Sequence, residues 1–380
     1  MRYSARSYSV FVAVVLAAGC GGAPPPATKS TPPAPAKSAA PFTAAQIAAG
    51  REHACATTSD GNVFCWGANG SGQLGDGTTT NRLVPTKVVG LSGVTQVAAG
   101  DAHSCARLEN GSVRCWGDDS HGQLGDGAMK STTSPVEVNG LAGVNEVALG
   151  GSQSCARKAN GFIVCWGETI AGGATKEALP VFGMTEASEL GVGALHACAR
   201  VSDKSVRCWG ANNFRQLGVP RAADRGLPVS VPELTKPVQI SVGRDHSCVR
   251  EDDGSMLCWG GGSSCVPGEW TAGRVLAVRP AKIPGLENVT SIAAGGDQAC
   301  AVEKGGTVAC ARLKPGGGED RSCVSERVPG LEKIVSLALG DGFGCARDES
   351  DGVWCWGKNA SGQLGDGSTV EHAKPTRVTR

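Results

Sequence analysis

Ala48-Ala49-Gly50-Arg51-Glu52-His53-Ala54-Cys55-Ala56, followed by Cys65-Trp66-Gly67, decides the fold, because versions of this stretch occur seven times along the chain. The anchoring glycines are Gly50, Gly100, Gly150, Gly193, Gly243, Gly295 and Gly340. Each opens a unit with two cysteines ten residues apart: Cys55 with Cys65, Cys105 with Cys115, Cys155 with Cys165, Cys198 with Cys208, Cys248 with Cys258, Cys300 with Cys310 and Cys345 with Cys355. Within a unit the pattern is β throughout. Val94-Thr95-Gln96-Val97-Ala98-Ala99 reads as a first strand, Ser104-Cys105-Ala106 as part of a second, and Val113-Arg114-Cys115-Trp116 as a third after the Asn110-Gly111 turn. Pro135-Val136-Glu137-Val138 reads as a fourth after a long loop.

A lone four-stranded sheet of about 43 to 52 residues leaves both faces bare, so the units must stack. Seven in a ring make an all-β, seven-bladed β-propeller of four-stranded antiparallel blades. In the third strand Val63 and Cys65 point one way while Phe64 and Trp66 point the other. Both sets are apolar, as a blade with a neighbour on each side requires. The Ala-Ala-Gly segments suit the innermost strand, where converging blades leave room only for small side chains.

The repeat resembles the family named for the regulator of chromosome condensation, a seven-bladed propeller, from Ile47 to Arg380. The residues that carry the resemblance are Gly50 to Ala56, Cys65 to Gly67, and Gly72-Gln73-Leu74-Gly75-Asp76-Gly77. Trp66 is followed by Gly67 and not by Asp, which separates the chain from WD-repeat propellers. The copies are uneven. Units one, two and seven keep the Gly-Gln-Leu-Gly-Asp-Gly loop, beginning at Gly72, Gly122 and Gly362. Unit four keeps only Gln216-Leu217-Gly218, and units three, five and six have lost the loop; unit six also has Ala311 for the tryptophan.

Upstream, Arg2 and Arg6 precede an apolar run from Val10 to Ala18 that is too short to span a bilayer and matches a secretory signal. Leu16-Ala17-Ala18-Gly19-Cys20 resembles a bacterial lipobox with its leucine one place further out than usual. The expected organisation is a lipoprotein signal peptide over 1–19, lipidation at Cys20, a Pro/Ala/Ser-rich tether over 20–45, and a propeller over 46–380 with repeats beginning near 47, 97, 147, 190, 240, 292 and 337. The location this implies is outside the cytosol, lipid-anchored to a bacterial cell envelope.

Export makes disulfides the expected state of the cysteine pairs, since a ten-residue spacing centred on a hairpin turn puts each pair at facing cross-strand positions. Buried free thiols are the alternative, and zinc is disfavoured because close Cys-x-x-Cys pairs are missing. Cys265 and Cys323, in the long loops of adjacent units five and six, are expected to pair with each other. His53, His103, His196 and His246 give way to Gln153, Gln298 and Phe343 in the other units, so they read as structural side chains capping backbone groups. The Asp-Gly in Gly75-Asp76-Gly77 reads as a glycine-rich turn and not a calcium loop.

Lys+Arg 36 against Asp+Glu 35 gives no composition-level case for nucleic acid or an anionic membrane surface. No carboxylate pair, nucleophile with its base, or metal set stands at a recognisable spacing, so no cofactor and no catalysis are expected. The first-to-second and third-to-fourth connections emerge on one face, and function is expected where its loops depart from the repeat, in units three to six. Trp270, with Arg274 and Arg279, is the candidate partner-binding group. The family includes exchange regulators of small GTPases and secreted β-lactamase-inhibitory proteins. An exported chain has no access to a cytosolic GTPase. The expectation is thus a monomeric, surface-anchored scaffold binding an unknown protein in the envelope or outside the cell. The alternatives are an enzyme inhibitor of the β-lactamase-inhibitor type or a polysaccharide-acting propeller enzyme.

Overall fold

A computed structural model of the chain describes residues 40–169, 173–220, 223–262, 269–271, 274–313 and 323–380, with side chains described outside 262–277 and 312–322. The expected lipidation site at Cys20 and the expected signal peptide lie outside these residues. Seven antiparallel sheets follow one another, each built from consecutive strands. Blade 1 comprises Gln46–Ala49, His53–Thr57, Val63–Gly67 and Arg82–Lys87; blade 2 begins at Val94–Ala99 and blade 7 ends at His372–Arg377.

Convergence on the axis accounts for the anchoring glycines. A Cβ on Gly50 would stand 2.3 Å from the Gly100 carbonyl oxygen, and one on Gly295 would stand 1.9 Å from that of Leu339. With side chains excluded, neighbouring blades bond directly through main chain. Asp101 donates to Gly151 at 2.9 Å, Ala194 to Arg244 at 3.0 Å, Arg244 to Gly296 at 2.9 Å and Asp341 to Arg51 at 3.0 Å. The first-to-second and third-to-fourth connections do share a face: the Ala68 N–H bonds the Glu52 carbonyl at 2.9 Å, and the Asp118 N–H bonds that of Ala102 at 2.8 Å.

All seven cysteine pairs face each other in register on the second and third strands of their blades and are bonded. Cys55 is joined to Cys65, Cys105 to Cys115, Cys155 to Cys165 and Cys198 to Cys208, and the same holds for Cys248 with Cys258, Cys300 with Cys310 and Cys345 with Cys355. Their Cα separations run from 3.9 to 4.1 Å. This is the close approach of a non-hydrogen-bonded cross-strand pair, about 4.5 Å in a regular sheet. Every paired cysteine but the partly buried Cys165 is buried, so these bonds lie inside the blade stack. Cys323 is also disulfide-bonded. Its expected partner, Cys265, lies outside the described residues.

Two expectations are corrected. Blade 5 has five strands, because Glu269–Thr271 pairs with Arg274–Leu276 on the outer edge of the blade's fourth strand, where a loop was expected. The propeller also begins before residue 46. Phe42 and Ala44, assigned to the tether, are each only 2% exposed. Ala44 donates to the Asp351 carbonyl at 2.9 Å, as Val94 does to that of Gly61 at 3.2 Å. Phe42 donates to Val378, Arg380 donates to Ala40, and the Arg380 guanidinium lies 4.0 Å from the Phe64 ring centroid. Residues 41–44 thus take the place at the 7/1 junction that 91–94 take between blades 1 and 2. The ring closes by joining the two ends of one repeat without exchanging a strand.

Candidate functional site

The loop-rich face is held by a hydrogen-bond relay passed from blade to blade. His53 Nε2 lies 2.9 Å from Ser104 Oγ on blade 2; that hydroxyl donates to the Gln73 carbonyl of the blade 1 loop at 2.9 Å, and the Trp116 indole N–H donates to the same carbonyl at 2.8 Å. Because the serine proton is committed to Gln73, the imidazole must donate through Nε2, leaving a bare Nδ1. Among the described residues Nδ1 has no partner in any of the four histidines, all of which are fully buried. Burial therefore holds their pKa values far down, at about 3 for His53 and His196 and about 4 for His103 and His246. The expected backbone cap is met only by His246, 3.2 Å from the Gln298 carbonyl. His53, His103 and His196 reach the serine hydroxyl of the next blade instead.

The relay also explains the uneven repeats. Trp66, Trp116, Trp166 and Trp259 donate to the carbonyls of Gln363, Gln73, Gln123 and Gln216, each on the preceding blade's loop, at 2.8 to 3.0 Å. The leucine that follows each glutamine, Leu364, Leu74, Leu124 or Leu217, is 0% exposed. Blades 3, 5 and 6 lack the loop, so the indoles of Trp209 and Trp356 have no such acceptor among the described residues, and blade 6 carries Ala311 where the tryptophan would stand. A tryptophan is tied to the loop before it in the ring, not to its own.

Inside the loop Asn69 Nδ2 donates to Asp76 and to the Thr78 and Thr80 carbonyls, while its Oδ1 accepts from Leu74 N–H at 2.9 Å. Asp76 is paired with Arg82 at 2.6 Å. These bonds make the Asp-Gly run a self-satisfied turn.

The axial mouth on this face was not anticipated. One residue after each anchoring glycine, Arg51, Asp101, Arg244 and Asp341 stand on blades 1, 2, 5 and 7, whereas Gly151, Ala194 and Gly296 leave the other positions bare. Arg244 reaches across the axis to Asp101 at 3.5 Å, and Arg51 lies 4.0 Å from Asp101 and 3.8 Å from Asp341. The signal was present in the sequence as alternating charges at one repeat position.

Of the candidate partner-binding residues, Trp270 and Arg274 come together in the extra hairpin of blade 5, where Thr271 faces Arg274. Their side chains lie outside the described set. Arg279 is further along the same strand and is ion-paired with Glu233 on the connection from blade 4. It is therefore not a free anchor beside them. Among the described residues no three His, Cys, Asp or Glu side chains gather as a metal site.

Family models described as the regulator of chromosome condensation (RCC1) repeat match residues 60–107, 110–157, 205–250 and 350–380, and a second such model matches 44–73, 94–123, 188–216, 238–264 and 334–363. Together they cover more than half of the chain. Over 49 residues the chain is 47% identical to the ultraviolet-B receptor UVR8 of Arabidopsis thaliana, which is 13% of this chain and 11% of that protein. Over 47 residues it is 49% identical to the human E3 ubiquitin-protein ligase HERC2, which is 12% of this chain and 1% of the ligase. Among solved structures, Prp20p from Saccharomyces cerevisiae, reported with its binding properties to Gsp1p and histones, matches with a TM-score of 0.74 and 19% identity, covering 85% of this chain and 87% of that one. Yeast RCC1 (Prp20) bound to Kap60 matches with a TM-score of 0.68 and 23% identity over 80% and 81% of the two chains. With seven blades in register and these repeats matched along the ring, the chain belongs to the regulator of chromosome condensation repeat family.

Proposed function

We propose that this protein is a non-catalytic scaffold, held at the outer surface of a bacterial envelope through Cys20, which binds a partner protein with the loop-rich face of blades 3 to 6. One observation carries the reading. The loops of blades 7, 1, 2 and 4 are used up in holding the ring, each burying a leucine and giving its glutamine carbonyl to the next blade. Blades 3, 5 and 6 have given up that structural loop, and blade 5 has replaced it with the hairpin that carries Trp270 and Arg274. Loops released from a structural duty on a rigid scaffold are where binding residues accumulate.

The yeast relative in complex with Kap60 supports a protein as the class of ligand. The test is affinity capture from envelope extracts and culture fluid with the full-length protein as bait. The expected result is a partner retained by the wild type and by a Leu83→Asp variant on blade 1, and lost from the Trp270→Ala, Arg274→Ala double variant. Capture that survives the double substitution removes the blade 5 hairpin from the site. Mass spectrometry of the mature N-terminus tests the anchor, with a lipid-modified Cys20 expected.

A further inference from the structure

One position on the first strand of each blade changes its chemistry around the ring. Gln46, Gln96, Glu146, Glu189, Gln239, Ser291 and Ser336 occupy it on blades 1 to 7. On blades 2 and 5 the glutamine clamps the first strand of the next blade with both ends of its amide. Gln96 accepts from the Val147 N–H at 2.9 Å and donates to the Val147 carbonyl at 3.0 Å; Gln239 does the same with Ile292 at 3.1 and 3.2 Å. Opposite these glutamines on the second strand stand Arg107 and Arg250, whose buried Nε atoms have no partner among the described residues.

Glutamate reverses both outcomes. Glu189 accepts from the Ile240 N–H at 3.1 Å and from the Arg200 Nε–H at 3.3 Å, in each case through Oε2. Its other oxygen, Oε1, corresponds to the nitrogen of the glutamines, and an ionised carboxylate has no proton to donate from it. The Ile240 carbonyl, counterpart of the Val147 and Ile292 carbonyls, therefore receives no side-chain bond among the described residues. Glu146 on blade 3 is built alike, with Arg157 at 2.8 Å and the Leu190 N–H at 3.4 Å. The titratable groups on the strands packed against that of Glu189 are Glu146, Arg157 and Lys158 of blade 3 and His196 and Arg200 of its own blade; the first strand of blade 5 carries none, and Arg250 stands on the second. His196, with its pKa at about 3, is neutral near pH 7. Burial, helped by the charge of Glu146, holds the Glu189 carboxyl up at about 7 against the pull of Arg200.

We propose that Glu189 is a pH-operated clamp on the junction of blades 4 and 5: ionised, it holds Arg200 and only the N–H of Ile240, whereas protonated on Oε1 it also donates to the Ile240 carbonyl and releases Arg200. The neutral acid has the planar shape of the amide, so blade 4 then does what blades 2 and 5 do at every pH. The proton comes from solvent, which reaches the side chain because it is 24% exposed. An ion pair within blade 4 is exchanged for a hydrogen bond between blades. Blade 4 is thereby tied to blade 5 more firmly in acid than in alkali. The proposal does not rest on the scaffold reading.

The test uses full-length protein labelled with 13C at isoleucine carbonyls and 15N at serine. Ile240-Ser241 is the one Ile-Ser pair in the sequence, so a single carbonyl signal is selected. Between about pH 8.5 and 5.5 that signal is expected to move downfield as the carbonyl gains its bond, with a midpoint near 7. Glu189→Gln, which copies blades 2 and 5, should hold the signal at its acid-end position at every pH. Glu146→Gln should keep the response and lower its midpoint, because a neighbouring negative charge is removed. Urea unfolding of the wild type and Glu189→Gln supplies a second readout in which the histidine contributions cancel. Relative to the variant, the folding equilibrium constant of the wild type should rise by up to about tenfold per pH unit as the pH falls from about 7 to about 4.5. An Ile240 carbonyl that does not titrate overturns the proposal. So does a Glu189→Gln signal at the alkaline-end position, or a stability difference that does not change with pH. The scaffold reading is tested by partner capture and survives any of these failures.

Discussion

His53, His103, His196 and His246 couple folding to pH. Each is buried neutral with its pKa at about 3 or 4, below the ordinary value of 6.5. Below about pH 6.5 the unfolded chain takes up these protons and the folded chain does not, so stability is full above that pH and is lost as pH falls towards 4. Each histidine contributes a slope of about 1.4 kcal/mol per pH unit. Glu189, raised to about 7 by burial despite its bond to Arg200, acts in the opposite sense between about pH 4.5 and 7, because there the folded form holds the proton. The four histidines outweigh it. Urea unfolding at a series of pH values should show stability falling from about pH 6.5 to about 4.5. His103→Gln, which copies the residue of blade 3, should make that fall shallower, and an unchanged slope would refute the assignment. Gly50→Ala should destabilise by about 1–3 kcal/mol, since its Cβ would stand 2.4 Å from the His53 ring and 2.3 Å from Gly100 O. Thermal melts check this. The histidine's structural role was legible in the sequence, because a chemical role could not tolerate Gln153, Gln298 and Phe343 at the same place. Its partner was not, because Ser104 lies in the next repeat and nothing local marks the contact.

At the level of the blade, the cysteine spacing about hairpin turns such as Asn110-Gly111 was enough to place all seven facing cysteine pairs, since a two-stranded hairpin with a fixed turn has one register; that they are bonded was expected only on the premise of export. Replacing Cys105 and Cys115 together by serine should cost about 2–3 kcal/mol in denaturant melts. Leu124→Ala should cost about 2–5 kcal/mol, as the leucine is fully buried between blades 2 and 3. It should also free the Trp166 indole to exchange, which a leucine that packed only within its own blade would not do. The missing loops were visible in the sequence. What they had been doing was not, because the Trp166 indole bonds Gln123 of the preceding repeat. The fifth strand of blade 5 was hidden for another reason: Glu269–Thr271 is three residues long, below the length at which alternation is readable.

For the whole molecule, the count of repeats determined the ring, but closure depends on residues outside the repeat pattern. Phe42 packs edge-on against Phe64 and Trp66, with ring centroids 5.7 Å away in each case. Phe42→Ala should therefore lower stability by about 3–5 kcal/mol, a loss readable by calorimetry. A surface position in a tether would show no change. The composition of 20–45 read as one tether because a lone Phe42 among Pro, Ala and Thr gives no periodic signal. With the ring closed, the loops of blades 7, 1, 2 and 4 are committed to holding the propeller together, and on the proposed reading the loops of blades 3, 5 and 6 are the part left for a partner. Hydrogen–deuterium exchange of the full-length protein with its captured partner addresses that division directly. The account predicts protection concentrated in the third-to-fourth strand connections of blades 3, 5 and 6, including the blade 5 hairpin. Protection confined to blades 7, 1 and 2, or to the hairpin turns on the opposite face, would contradict it.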